Sequence, residues 1–167
     1  RNDHSRELQQ QVFKRQLKLA IHLKKPLVIH CRDAHDDCIQ ILKETVPSDT
    51  RMHRHCFTDT WEKAVEWLSL FKNCFIGITN IISQESKRGY TVKHVAAEMP
   101  LSRLLLETDA PYFQPHCLSD DPSGQTRYVS NPGMALYVAS EIAKIRGIEV
   151  QEVLCHARKN TKILYGI

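Results

Sequence analysis

The stretch Lys25-Pro-Leu-Val-Ile-His30-Cys31-Arg32-Asp33-Ala34 decides the fold. A short apolar run bounded by charge ends on a histidine, and the construction recurs twice. Arg51-Met-His-Arg-His55-Cys56-Phe57 again ends on histidine and cysteine, and Arg103-Leu-Leu-Leu-Glu-Thr-Asp109-Ala-Pro-Tyr112 ends on an aspartate. Buried strands that terminate in metal-ligating side chains make sense when several of them converge. In a parallel barrel they do, because the active site is assembled from the C-terminal ends of the strands. These three segments favour a metal-dependent hydrolase.

Working outward from residues 25–34, helical and strand-like patterns alternate. Leu8, Val12, Phe13, Leu17, Ala20 and Ile21 lie on one stripe of a predicted helix over 7–24, which Pro26 closes before a strand at 27–30. Asp33 is expected to cap a second helix that buries Cys38, Ile39, Ile41 and Leu42 and ends near Val46-Pro47. A strand at 52–57 leads, with Asp59 or Thr60 as cap, into a helix carrying Trp61, Ala64, Val65, Leu68 and Phe71. A third strand at 74–78, a helix at 89–98 and a fourth strand at 103–107 follow. After a loop over 110–130, Asn131-Pro132 starts a helix that Gly147 ends, and a last helix covers 149–163. Strand and helix in alternation with short connections predict a parallel sheet covered by helices, here with four strands in one domain over 1–167.

The 167 residues suffice for one sizeable core, and no apolar run approaches the roughly 20 residues that span a bilayer. A net charge of +4 with nine histidines permits a polyanionic partner without requiring one. The six cysteines are scattered, with no Cys-x-x-Cys pair, which argues against a zinc knuckle and for a reduced, disulfide-free protein of the cell interior, nuclear or cytoplasmic.

The chemistry-bearing residues each have a plainer reading beside the functional one. His30 shares a strand face with Val28. Alone it reads as a structural histidine, but Arg32 and Asp33 beside it mark a polar pocket. His53 and His55 share a face. His55 repeats the strand-end position of His30, while His53 reads as pocket lining or exposed surface. Glu107 and Asp109 follow three leucines, and carboxylates there are costly to bury unless paired or bound to metal. Asp109 is a candidate ligand or catalytic base, with Glu107 behind it. Two imidazoles and a carboxylate suit zinc, manganese or a similar divalent ion, which would bring a water toward a pKa of about 7. In the 110–130 loop, Tyr112, Phe113, His116, Arg127 and Tyr128 could stack a base and hold a phosphate, or could pack the loop itself.

The segments KPLVIHCRDA (25–34), HRHCF (53–57), PLSRLLLETDAPYF (100–113) and the closing Asn160-Thr-Lys-Ile-Leu-Tyr-Gly resemble the TatD family along essentially the whole chain. The resemblance implies a (β/α)₈ TIM barrel of the metal-dependent hydrolase type, of which this chain supplies the C-terminal half. It implies phosphodiester hydrolysis of nucleic acid, deoxyribonuclease in type and trimming from the 3′ end, with DNA rather than RNA as substrate. His30, His55 and Asp109 would be metal ligands, with Asp109 also catalytic. Arg32, His53, Glu107 and Tyr112 would be supporting or substrate-binding. The complete barrel would hold two divalent ions (Mg, Mn or Zn). The family also carries a His-x-His pair and a bridging glutamate on earlier strands, and neither has a counterpart in this sequence, whose His53-Arg54-His55 pair occupies the later histidine's position. Ser130-Asn131-Pro132-Gly133 stands where the family has Asn-Glu-Pro, and Asp59 where it has glycine. The expectation is therefore the C-terminal part of a longer nuclease. The alternatives are a truncated or degenerate relative that binds without cleaving, or a metallohydrolase of small amides or esters.

Overall fold

The computed structural model describes residues 3–118 and 129–167. Strands β1 (Leu27–Ile29), β2 (Met52–Arg54), β3 (Cys74–Ile78) and β4 (Leu104–Leu106) form one sheet in sequential order, every neighbouring pair parallel. Helices α1 (Asp3–His22), α2 (His35–Thr45), α3 (Trp61–Leu70), α4 (Lys87–Glu98), α5 (Ala135–Arg146) and α6 (Val150–Tyr165) connect and cover the strands. Parallel neighbours need crossover connections, and sequential order with a helix in each crossover is the repeating unit of the expected barrel.

Side-chain alternation sets the two faces. Leu27 and Ile29 are buried toward the helices, whereas Val28, on the face that carries His30, is 54% exposed. The register aligns Val28 with His53 and His53 with Phe75, so the inner-facing positions form a row across the sheet. The outer face makes the main core, where Ile29, Met52, Ile76 and Leu104 join Leu42, Trp67, Val92, Val138 and Ile142. A second cluster lies on the inner face: Phe75, Leu105 and Leu164, with Tyr165 against them. The last turn of α6 therefore covers the lower part of the inner face, and burying Leu164 there contributes about 2 kcal/mol. Asn160, itself buried, anchors this helix by donating its Nδ2 to the carbonyls of Leu101 (2.7 Å) and Leu104 (2.8 Å).

Strand β3 spans 74–78 as read, whereas β1, β2 and β4 are shorter than the sequence suggests, for a reason tied to the site. The ladder continues one step as single bonds, from His55 N–H to Ile29 O (3.0 Å) and from Glu107 N–H to Ile78 O (2.9 Å). Left-handed backbone at Cys56 (φ 45°) and Asp109 (φ 54°) then breaks the strand conformation. Asp33 does not cap α2. Ala34 holds the cap position, while Asp33 is left-handed (φ 55°) and exposed, 3.8 Å from Arg32. The strand-to-helix turn needs a left-handed residue there, which aspartate tolerates better than most. Thr60 is the cap residue of α3 but makes no side-chain capping bond, and Asp59 pairs instead with Lys63 at 3.2 Å. Asn131 does cap, its Oδ1 accepting from Gly133 N–H at 3.0 Å, though what it caps is a 3₁₀ turn leading into α5. Gly147, left-handed at φ 64°, ends α5 as expected. The thiols of Cys31, Cys38, Cys56, Cys74 and Cys155 are free. Among the described residues no helix is long and apolar enough to cross a membrane.

Candidate metal centre

The three strand-end residues singled out in the sequence meet at the C-terminal mouth of the sheet. His55 Nε2 lies 3.4 Å from Asp109 Oδ1, and the His30 and His55 rings are 5.8 Å apart between centroids. Beneath them sits Glu107, half-buried, and three groups converge on its carboxylate. His55 Nδ1 is 2.6 Å from Oε1, His53 Nε2 is 2.9 Å from the same oxygen, and the Cys56 amide donates to Oε2 at 2.7 Å. The left-handed turn at Cys56 aims that amide into the mouth. An ionised carboxylate can only accept, so His55 carries a proton on Nδ1, and Nε2, on the side of Asp109, is the nitrogen available to a cation.

Electrostatics follow from this clamp. Burial pushes the Glu107 carboxyl up, but the facing His53 ring, the His55 hydrogen bond and the Cys56 amide outweigh it and hold the group at about 2. The Glu107 hydrogen bond raises His55 against the opposing effect of its burial, with the Glu107 and Asp109 charges adding to the rise. A carboxylate depressed in the folded state stabilises fully above its unfolded value, 4.5, and loses that contribution as pH falls toward about 2. His55 has the opposite sense: its share is present below 6.5 and fades as pH rises through the raised folded value. Urea denaturation of Glu107→Gln should therefore show a deficit of about 3 kcal/mol at neutral pH. The deficit should close between pH 4.5 and about 2.

Among the described residues one group of ligand atoms is close enough to share a cation, and the strand-end residues form a second, more open set. The ligand atoms of His53, His55 and Glu107 all lie within 4.8 Å of one another. Two ligands each about 2.1 Å from a tetrahedral ion stand about 3.4 Å apart. The contacts of 2.6 Å and 2.9 Å in the inner trio are instead those of groups closed on each other. The 3.4 Å between His55 Nε2 and Asp109 Oδ1 matches ligand spacing, and His30 is exposed at the same mouth. The His53 Nε2 approach is in ion-pair range without aligned hydrogen-bond geometry.

Other sequence candidates sit farther from this chemistry. Arg32 is exposed beside Asp33, on the rim of a cavity of about 470 Å³ that also meets His30, Gln9 and Phe13. Tyr112 is 70% exposed, Phe113 packs in part against the core, and the His116 amide donates to Ser83 Oγ at 3.0 Å. Arg127 and Tyr128 lie outside the described residues. His53, open in the sequence between pocket lining and surface, is buried, with its Nδ1 2.8 Å from the Tyr165 hydroxyl.

Three functional positions escaped the sequence reading. Arg54, only 1% exposed, donates to the carbonyls of Cys31 (2.7 Å) and His55 (2.5 Å), tying together the two strand ends that carry His30 and His55. Its guanidinium lies over Phe57 (5.3 Å) and Trp67 (5.6 Å). Arg54→Met should cost about 3 kcal/mol in urea denaturation, because two half-buried carbonyls lose a charged donor. Gly77 is the second: a Cβ there would overlap the Glu107 carboxylate and stand 2.5 Å from His53 Nε2. Tyr165 is the third. The motif HRHCF hinted at Arg54, and the closing segment 160–166 contains Tyr165 without marking it as part of a site; nothing local marked Gly77.

The sequence pattern of the TatD related DNase family matches residues 1–166. The chain belongs to this family. Among TatD relatives, it is 40% identical over 159 residues to the human 3′-5′ RNA nuclease TATDN2, covering 95% of this chain and 20% of that protein. It is 35% identical over 167 residues to the 3′-5′ ssDNA/RNA exonuclease TatD of Klebsiella pneumoniae, covering all of this chain and 61% of that protein. The crystal structure of YJJV, a TatD homolog from Escherichia coli, superposes with a TM-score of 0.81 at 27% identity, over all of this chain and 60% of that one. An uncharacterized amidohydrolase from Saccharomyces cerevisiae shares the fold, with a TM-score of 0.78 at 21% identity over 96% of this chain and 60% of that one. The TatD chain described here thus spans about three-fifths of its bacterial relatives, and its parallel sheet is part of a TIM barrel of this type.

Proposed function

We propose that this domain contributes to metal-dependent hydrolysis of phosphodiester bonds in nucleic acid, acting at a free 3′ end. The observation that carries the reading is the convergence of His30, His55 and Asp109 at the strand ends, with the far side of His55 already bound to Glu107. Family membership and the names of the human and bacterial relatives support it. Those names include both RNA and single-stranded DNA, so the proposed substrate class takes in both, rather than DNA above RNA.

The donor set fits a divalent ion: two imidazoles and a carboxylate at one mouth, one imidazole with its tautomer already fixed. His30, His55 and Asp109 would hold it. Such an ion, when bound, polarises a phosphoryl oxygen and makes water acidic enough to attack near neutral pH. The chain's own residues do the rest. Glu107 keeps the His55 ring from turning. Asp109, one-third exposed at the mouth, is placed to take a proton from the attacking water at a carboxylate oxygen. Arg32, beside His30 on the rim of the open cavity, is suited to a substrate phosphate.

The test uses single-stranded DNA and RNA labelled at the 5′ end, with Mg²⁺, Mn²⁺ or Zn²⁺ and a chelator control, on the longest natural form of the protein. Shortening from the 3′ end that the chelator stops supports the reading. Cleavage indifferent to chelator, or none with any metal, overturns it.

A further inference from the structure

We propose that Tyr165 is a positioning residue for the metal centre, acting through His53 and Glu107 on the ring of His55. The inference rests on the reading of His55 as a ligand but reaches a residue at the opposite end of the chain, on the last turn of α6. That turn is pinned by fully buried Leu164 and closed by left-handed Gly166 (φ 72°), which sets the direction of the neighbouring tyrosine. The Tyr165 ring meets His53 edge-on, 6.4 Å between centroids at 82°, with its hydroxyl 2.8 Å from Nδ1.

The proton arrangement follows link by link. His53 is 6% exposed, so each of its ring nitrogens needs a protein partner. Nε2 faces the Glu107 carboxylate at 2.9 Å, in ion-pair range though without aligned hydrogen-bond geometry, and a bare lone pair there would repel it. The proton therefore belongs on Nε2, and the Tyr165 hydroxyl donates to Nδ1. Glu107 Oε1 then faces N–H groups from His53 and His55, and Oε2 accepts from the Cys56 amide. A carboxylate held from three directions fixes His55 as the tautomer whose Nε2 is free at the mouth. Remove the hydroxyl, and His53 gains by moving its proton or turning its ring. Either change releases one side of Glu107.

Long-range ¹H–¹⁵N spectra of the imidazoles, recorded on the whole chain at about pH 8.5, above the imidazole range, read these tautomers without reference to cleavage. Wild type should show the His53 proton on Nε2 and the His55 proton on Nδ1. In Tyr165→Phe, His53 should become a tautomer mixture, the His55 Nδ1–H signal should broaden or shift, and the Mn²⁺ dissociation constant should rise about 10-fold or more. An unchanged His55 signal in the variant overturns the proposal. So does a wild-type His53 proton on Nδ1, a result that needs no variant and holds even if Tyr165→Phe folds poorly. Because neither readout involves nuclease activity, failure of the relay is distinct from failure of the functional reading.

Discussion

His55→Ala should abolish divalent-metal binding at the mouth and lower metal-dependent cleavage of nucleic acid by about 10²–10⁴-fold, the range spanned by loss of a positioned catalytic group. The expectation comes from where His55 stands. One ring nitrogen is tied to Glu107 at 2.6 Å and the other faces Asp109 at 3.4 Å, so the residue links the buried clamp to the open donor set. Alanine removes a ligand and strands an ionised carboxylate beneath it. Asp109→Asn should reach a similar loss of rate, since it removes both charge and proton acceptor while keeping the shape. The double variant should fall little further than either single one, because groups that act as a unit are not additive. Initial rates with Mn²⁺ across the three variants check this. Additive losses would mean that the two residues serve separate steps.

Gly77→Ala carries the second large effect, and it comes from space rather than backbone freedom. The new methyl would overlap the Glu107 carboxylate and press on His53 Nε2. Strand β3 is buried along its whole length, and the Phe57 amide is bonded to the Gly77 carbonyl at 2.9 Å, so the backbone has little room to retreat. Glu107 must swing away, leaving the Cys56 amide and both imidazoles without their acceptor. Overpacking alone costs about 1–3 kcal/mol. Losing the clamp behind a ligand should weaken metal binding by about 10–100-fold. Urea denaturation and Mn²⁺ titration measure the two effects separately. A variant with wild-type stability and affinity would show that Glu107 is not held in the way described.

The parts of the architecture legible in the sequence were those written in local periodicity. The stripe over Trp61, Ala64, Leu68 and Phe71 (Val65, read into it, is 40% exposed), the Asn131 cap and the Gly147 stop each depend on neighbours a few residues away. The three apolar runs ending in His30, His55 and Asp109 announced a convergence of strand ends, and the structure brings these residues to one mouth. The strand at 74–78 was read as it stands, but β2 and β4 were read too long, because left-handed turns at Cys56 and Asp109 occur at residues with no glycine to signal them. Asp33 was misread as a cap for the same reason: a polar residue before a helix suits either a cap or a left-handed turn. Tyr165 lies 112 positions from His53, and Gly77 matters only because β4 brings Glu107 across β3. Such pairings belong to the packed sheet and have no local signature.

A divalent-cation site formed by His30, His55 and Asp109 is the feature on which the proposed chemistry depends. Titration of the purified chain with Mn²⁺, followed by electron paramagnetic resonance of the free ion, tests this with wild type and His55→Ala side by side. The account predicts saturable binding in wild type that disappears in the variant. Equal binding by both, or none by wild type, would contradict it.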